Sequence, residues 1–127
     1  MKKLLYKNEV FEIVGAAINV HKELGPGFLE AVYQEALEIE FEDSKMPYIS
    51  QPEIGIYFKK RKLKKYYQPD FLVQDEIVIE IKAIKVLGNI EEAQLINALK
   101  CCNKKLGLLI NFGETSLKWK RYIYNTN

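Results

Sequence analysis

The chain of 127 residues holds one histidine and two cysteines, and the cysteines are neighbours, Cys101 and Cys102. Adjacent cysteines match neither a metal-ligand spacing nor an easily closed disulfide, so they read as helix-packing thiols in a reducing compartment. His21 lies far from both in sequence and nothing marks a nucleophile elbow, which leaves Ser-His and Cys-His catalysis without support. No segment approaches the length of a membrane span. Met1-Lys2-Lys3-Leu4-Leu5-Tyr6-Lys7 starts basic but never develops the apolar core of a signal peptide, so the expectation is a cytoplasmic protein with no membrane partner. There is no internal repeat and no low-complexity linker. Neither sign of charge is in large excess: a formal charge of +2 does not by itself announce a nucleic-acid binder, and local clustering matters more than the sum.

What is present is a core. Hydrophobic residues make up 48% of the chain, enough for one compact domain spanning 1–127. Val10, Phe11, Val14, Ala17, Ile18 and His21 follow helical spacing up to Gly25-Pro26-Gly27. A second helix starts near Phe28 and runs through Leu29, Val32, Tyr33, Ala36, Leu37 and Phe41, making an αα-hairpin. From Ser50 the pattern turns to β, with strands expected at 51–58, 66–73 and 77–84 as an antiparallel meander. Asn89 and Glu92 suit the two ends of a capping box, opening a helix that runs to about Cys102. Strands at 106–111 and 117–124, joined by Gly113-Glu114-Thr115, close the chain. The order ααβββαββ predicts an α/β or α+β fold in which helices flank a central mixed sheet. The crossover helix makes the strand at 106–111 parallel to the one at 77–84.

Charges interrupt two otherwise apolar strand patterns. Asp70 stands in Gln68-Pro69-Asp70-Phe71-Leu72-Val73, while Glu80 and Lys82 stand in Ile77-Val78-Ile79-Glu80-Ile81-Lys82-Ala83. A charge in a strand headed for burial costs on the order of several kcal/mol unless it is paired or bound to metal. Alternation sets Glu80 and Lys82 on one face, and an odd-length loop at Gln74-Asp75-Glu76 brings Asp70 opposite Glu80 on that face. Two carboxylates on neighbouring strands, with the Ile81 backbone carbonyl as an added ligand, suit Mg²⁺, which also keeps waters and phosphate oxygens. Lys82 is placed to orient a water or to stabilise developing negative charge.

Pro69-Asp70 followed by Glu80-Ile81-Lys82 resembles the PD-(D/E)XK nuclease superfamily. Gly27-Phe28-Leu29-Glu30-Ala31-Val32-Tyr33 is an independent match, similar to the signature of the small GxxExxY proteins grouped with that superfamily. Val20 to Gly27, Gln94-Leu95-Ile96-Asn97 and Gly107 to Gly113 agree, so the resemblance extends over about 13–113. It implies a restriction-endonuclease-like core and Mg²⁺- or Mn²⁺-dependent hydrolysis of phosphodiester bonds in nucleic acid, with DNA ahead of RNA. Of the roles known in nucleases with a RecB-like site, it assigns Glu30 to completing the metal site and Gln94 to aligning it, and it brings His21 toward the metal. One departure is visible: Ala98 stands four positions after the glutamine, where an aromatic residue is common.

Each of these residues has a plainer reading. Asp70, Glu80 and Lys82 also fit an internal ion-pair network. Glu30 is favoured in any helix's first turn, Gln94 is an ordinary polar helix residue, and His21 fits a helix-packing role equally well. Tyr33 reads as a packing and hydrogen-bonding residue of the helical pair. Lys59, Lys60, Arg61, Lys62, Lys64 and Lys65 gather at an expected hairpin tip, either as a solvated turn or as phosphate contacts. Lys118, Lys120 and Arg121, interleaved with Trp119 and Tyr122, extend that surface, with Trp119 expected in the core. Two alternatives accompany the nuclease: a nucleic-acid-binding module that does not cleave, and a protein-interaction or assembly subunit. A protein partner for targeting and a homodimer are compatible with either.

Overall fold

The computed structural model describes residues 5–124; the basic start Met1-Lys2-Lys3-Leu4 lies outside them. Helix α1 (Lys7–Leu24) buries Val10, Ile13, Val14, Ala17, Val20 and His21 along one stripe. Phe11 and Ile18, which share the helical spacing, lie outside that stripe, Phe11 at 79% exposure. Gly25 and Gly27 then turn the chain with φ of 70° and 112°, angles that a Cβ would resist. Helix α2 (Glu30–Asp43) follows and buries Tyr33, Gln34, Leu37 and Phe41.

The middle of the chain departs from the expected three-strand meander. Five strands occupy it: β1 (Tyr48–Ser50), β2 (Ile54–Phe58), β3 (Arg61–Tyr67), β4 (Phe71–Val73) and β5 (Ile77–Lys82). The expected strand over 66–73 is cut in two at Gln68-Pro69-Asp70, because proline brings no N–H to a ladder. The lysine-rich turn shrinks to Lys59 and Lys60, both at positive φ, and the cations after them run along β3. β2 and β3 form a hairpin of their own, outside the main sheet. β1 is too short for its periodicity to show in sequence; it pairs with β4.

Helix α3 (Asn89–Cys102) links β5 to β6 (Leu106–Asn111), which run parallel as expected, and β7 (Lys118–Ile123) returns antiparallel to β6. The main sheet has the order β1-β4-β5-β6-β7. The cap of α3 sits one residue earlier than expected: Gly88 is the N-cap, and Glu91, three residues on, accepts its N–H at 2.8 Å. One face of the sheet, with Phe71, Ile77, Ile79, Ile81, Leu108 and Ile110, packs under α1 and α2. The other, with Leu72, Val78 and Leu109, packs against Leu95 and Leu99 of α3 and against Ile54 and Tyr67 of the hairpin. Trp119 is 40% exposed rather than in the core, because β7 is an edge strand whose α1 side is left partly uncovered. Among the described residues no helix is long and apolar enough to cross a membrane.

Candidate active site

The parity of β5 decides which side chains meet. Ile77, Ile79 and Ile81 enter the core under α1 and α2, so Glu80 and Lys82 share the opposite face with Val78. The hairpin register pairs Phe71 with Ile79 and Val73 with Ile77 across the loop at Gln74-Asp75-Glu76, and one further step brings Asp70 opposite Glu80. The expected carboxylate pair is therefore assembled. Asp70 Oδ2 accepts the Ile81 N–H at 2.7 Å, and Glu80 Oε2 accepts the Tyr67 hydroxyl at 2.6 Å.

Burial, and after it the Glu80 charge, pushes the Asp70 carboxyl up to about 7; the Ile81 N–H and Lys82 pull the other way. Tyr67 is shifted upward by burial and by the same Glu80 charge, so its hydroxyl keeps the proton it donates. Lys82 is close enough to act on Asp70 electrostatically.

Pro69 contributes by what it lacks. The Lys82 carbonyl accepts the Phe112 N–H on the β6 side, so the polar groups of Ile81 point toward β4. The β4–β5 ladder ends at the Phe71–Ile79 pair, and Pro69, two residues earlier, has no N–H with which to extend it toward Ile81.

Two crowded carboxylates suit a hard divalent cation, whose charge would offset the burial and the Glu80 charge that raise Asp70. Among the described residues no three His, Cys, Asp or Glu side chains converge closely enough to enclose an ion by themselves. Two carboxylates leave the rest of a cation's shell to waters or phosphate oxygens.

Glu30 opens α2 and is exposed, lining a cleft of about 430 Å³ together with Gln34, Glu35, Glu38, Gln51 and Asp70. Within it, the Gln34 amide donates to Ser50 Oγ at 2.8 Å and to the Asp70 carbonyl at 2.9 Å, and the Ser50 hydroxyl donates to Glu38 at 2.5 Å. Sequence reading missed Gln34, because its one signal, a position one turn after Glu30 on the same face, is shared by any exposed helix residue.

Tyr33 closes the glycine signature as a structural clamp. Its hydroxyl donates to the Gly25 carbonyl at 2.5 Å and accepts the Phe28 N–H at 3.2 Å, while its ring stacks on Phe112 at 4.5 Å. The turn that delivers Glu30 to the cleft is fastened in this way.

Two of the expected site residues make no hydrogen bond to the carboxylates among the described residues. His21 is buried with its ring beside Phe112, and its Nε2 is hydrogen-bonded to the Glu114 carbonyl at 2.9 Å. Gln94 is exposed on α3, and among the described residues no hydrogen bond links it to the carboxylates. Asn111, also missed in the sequence, is fully buried and bonds both the N–H and the carbonyl of Ile84 along with Glu114, fixing the chain just beyond Lys82. All six cations of 59–65 are exposed, Lys59 and Lys60 at the hairpin tip and the others along β3. Lys120 is turned to Glu92 at 3.3 Å instead of extending that surface freely.

An aspartate after a proline, then a glutamate and a lysine flanking one residue on the next strand, define a class of hydrolytic sites built on a mixed sheet. A family model of the PD-(D/E)XK nuclease superfamily matches residues 7–122, and the chain belongs to that superfamily. Its nucleases generally use divalent metal ions. Among solved structures, an alkaline exonuclease from Laribacter hongkongensis is similar with a TM-score of 0.45 and 11% identity, over 98% of this chain and 73% of that one. Comparison with curated protein sequences finds no match.

Proposed function

We propose that this chain is a cytoplasmic single-domain nuclease of the GxxExxY type that hydrolyses phosphodiester bonds of nucleic acid, DNA ahead of RNA, with Mg²⁺ or Mn²⁺. The observation that carries this reading is the Asp70 carboxyl, held against Glu80 and accepting the Ile81 N–H within electrostatic reach of Lys82. Asp70, Glu80 and the Ile81 carbonyl would hold the cation, and Glu30, which lines the same cleft as Asp70, would complete the site. When bound, the cation supplies positive charge to the phosphate and acidity to water.

The protein's own groups do the rest. Lys82 orients the attacking water and offsets charge that grows on the phosphate oxygens. As the water oxygen bonds to phosphorus and gives up a proton to solvent, the P–O ester bond breaks and the leaving oxygen takes up a proton from solvent. Tyr67 donates to Glu80 and holds it in place. Gln34 fixes the main chain at Asp70. Gln94 supports the arrangement only by resemblance, and so does any approach of His21.

The test is cleavage of labelled single- and double-stranded DNA and RNA with Mg²⁺ or Mn²⁺, running Asp70→Ala and Lys82→Ala in parallel. Turnover that vanishes in both variants supports the reading; equal turnover in all three overturns it. A second reading, binding without cleavage, is favoured by the exposed basic hairpin alone, and salt-sensitive binding without turnover would select it.

A further inference from the structure

The β2–β3 hairpin has two unlike faces. Ile54 and Tyr67, paired across the two strands, face inward onto Leu95 and Leu99, and Tyr67 reaches Glu80. The next pair, Gly55 and Tyr66, therefore faces outward, and beyond an irregular step so does the pair Tyr57 and Lys62. Contacts agree with that assignment: a Cβ built on Gly55 would lie 3.1 Å from Lys62 Cε and 3.5 Å from the Tyr57 ring. The lysine stem and the Tyr57 ring thus converge over the glycine, and Tyr66 stands beside it. Tyr57 is 59% exposed and Tyr66 48% exposed, with Glu53 next to the Tyr66 hydroxyl.

The charge on this ribbon is one-sided. Between Glu53 and Asp70 there are six cations and no acidic residue, in a chain whose formal charge is only +2. Among the described residues none of the six forms an ion pair. A solvated turn accounts for Lys59 and Lys60, but not for two uncovered tyrosine rings set around Lys62.

We infer that the outer face of this hairpin, Tyr57 and Tyr66 with Lys62, is a binding platform for single-stranded nucleic acid. The proposal deepens the nuclease reading and rests on it for the identity of the ligand. Cations follow a phosphate backbone, and aromatic rings accept the faces of unpaired bases, which a duplex keeps stacked on one another. An acidic peptide would match the charge but not the rings. The base of the ribbon lies beside the carboxylate pair, since Tyr67, next to Tyr66, donates to Glu80. The seven residues of β3 extend about 20 Å, so the platform is long enough for several nucleotides.

The experiment is fluorescence anisotropy of labelled oligo-dT, a duplex of equal length, and phosphatidylserine vesicles, all in EDTA so that binding is read without cleavage. Tighter binding of oligo-dT than of duplex is expected, with a loss of about tenfold or more in Tyr57→Ala/Tyr66→Ala and an unchanged salt slope. Tyr57→Phe/Tyr66→Phe keeps the rings and should keep the affinity, whereas Lys62→Ala should flatten the salt slope. Both tyrosines are exposed, so circular dichroism of each variant should match the parent.

Unaltered affinity in the double alanine variant overturns the platform, as does equal binding of duplex, or binding of vesicles in preference to oligonucleotide. Cleavage assays keep the two ideas apart. Turnover with tyrosine-independent binding removes the platform and leaves the nuclease; tyrosine-dependent binding of oligo-dT without turnover leaves the platform and removes the nuclease.

Discussion

The Gln34 side chain donates to the main-chain carbonyl of Asp70 at 2.9 Å, so helix α2 holds the backbone from which the candidate metal ligand projects. Its second amide hydrogen goes to Ser50 on β1, so one side chain joins α2 to two neighbouring strands. Both partners act as acceptors here, because the Ser50 hydroxyl is itself donated to Glu38. A nitrogen that donates two hydrogens is required at this point, as the Gln34 Nε2 does.

Gln34→Ala should therefore lower stability by about 1–3 kcal/mol, the net worth of two hydrogen bonds whose acceptors keep the Gln51 N–H and the bond to Glu38. Gln34→Glu should cost more, because it aims a carboxylate at two acceptors beside Glu38. Thermal melts of the three proteins check the order; a Gln34→Glu protein as stable as the parent would contradict it.

Asp70 sets a pH dependence. In the folded, metal-free protein its carboxyl is raised to about 7 from the ordinary 3.8, by burial and then by Glu80. The native state therefore holds more protons than the unfolded chain between those values. The contribution to stability is fully present below the unfolded value and is lost as pH rises through the folded one, on the order of a few kcal/mol in all. Asp70→Asn keeps an acceptor for the Ile81 N–H and should remove this part of the slope. The measurement is melting temperature against pH in EDTA for the two proteins. Parallel curves between about pH 4 and 7 would refute the assignment.

The glycine signature has a separable structural part. Tyr33→Phe keeps the ring stacked on Phe112 but loses the bond to the Gly25 carbonyl, and should cost about 1–2 kcal/mol. Tyr33→Ala also empties a fully buried site and should cost about 3–5 kcal/mol. Denaturant titration distinguishes them, and equal losses would mean that the ring adds nothing.

How much of this was legible in the sequence differs from residue to residue. Strand alternation was enough to put Glu80 and Lys82 on one face, and a three-residue loop was enough to bring Asp70 opposite, because both follow from local geometry. Pro69 carried a signal that went unread: a residue without an N–H ends a ladder, and β3 and β4 separate there. Gln34 and Asn111 are buried, yet a glutamine or asparagine in a sequence looks the same whether it faces solvent or three backbone groups. Trp119 and Phe11 show the reverse, since apolar periodicity cannot tell a covered face from one left open at a sheet edge.

Tyr67 is the link between the hairpin and the carboxylates, and its ring and hydroxyl have different duties. The ring packs against the cluster of Leu95 and Leu99, while the hydroxyl donates to Glu80. A donor to a carboxylate oxygen fixes the orientation of the group. Tyr67→Phe retains the packing and should change stability by only about 1 kcal/mol. Turnover should fall by about tenfold or more, as expected when a group that orients a ligand of the reacting centre is lost. Oligonucleotide affinity in EDTA should not change, because the outer face of the hairpin is untouched. A Tyr67→Phe protein that turns over like the parent would mean that Glu80 needs no positioning from the hairpin; one that loses binding and turnover together would mean that the residue matters only for the shape of the ribbon.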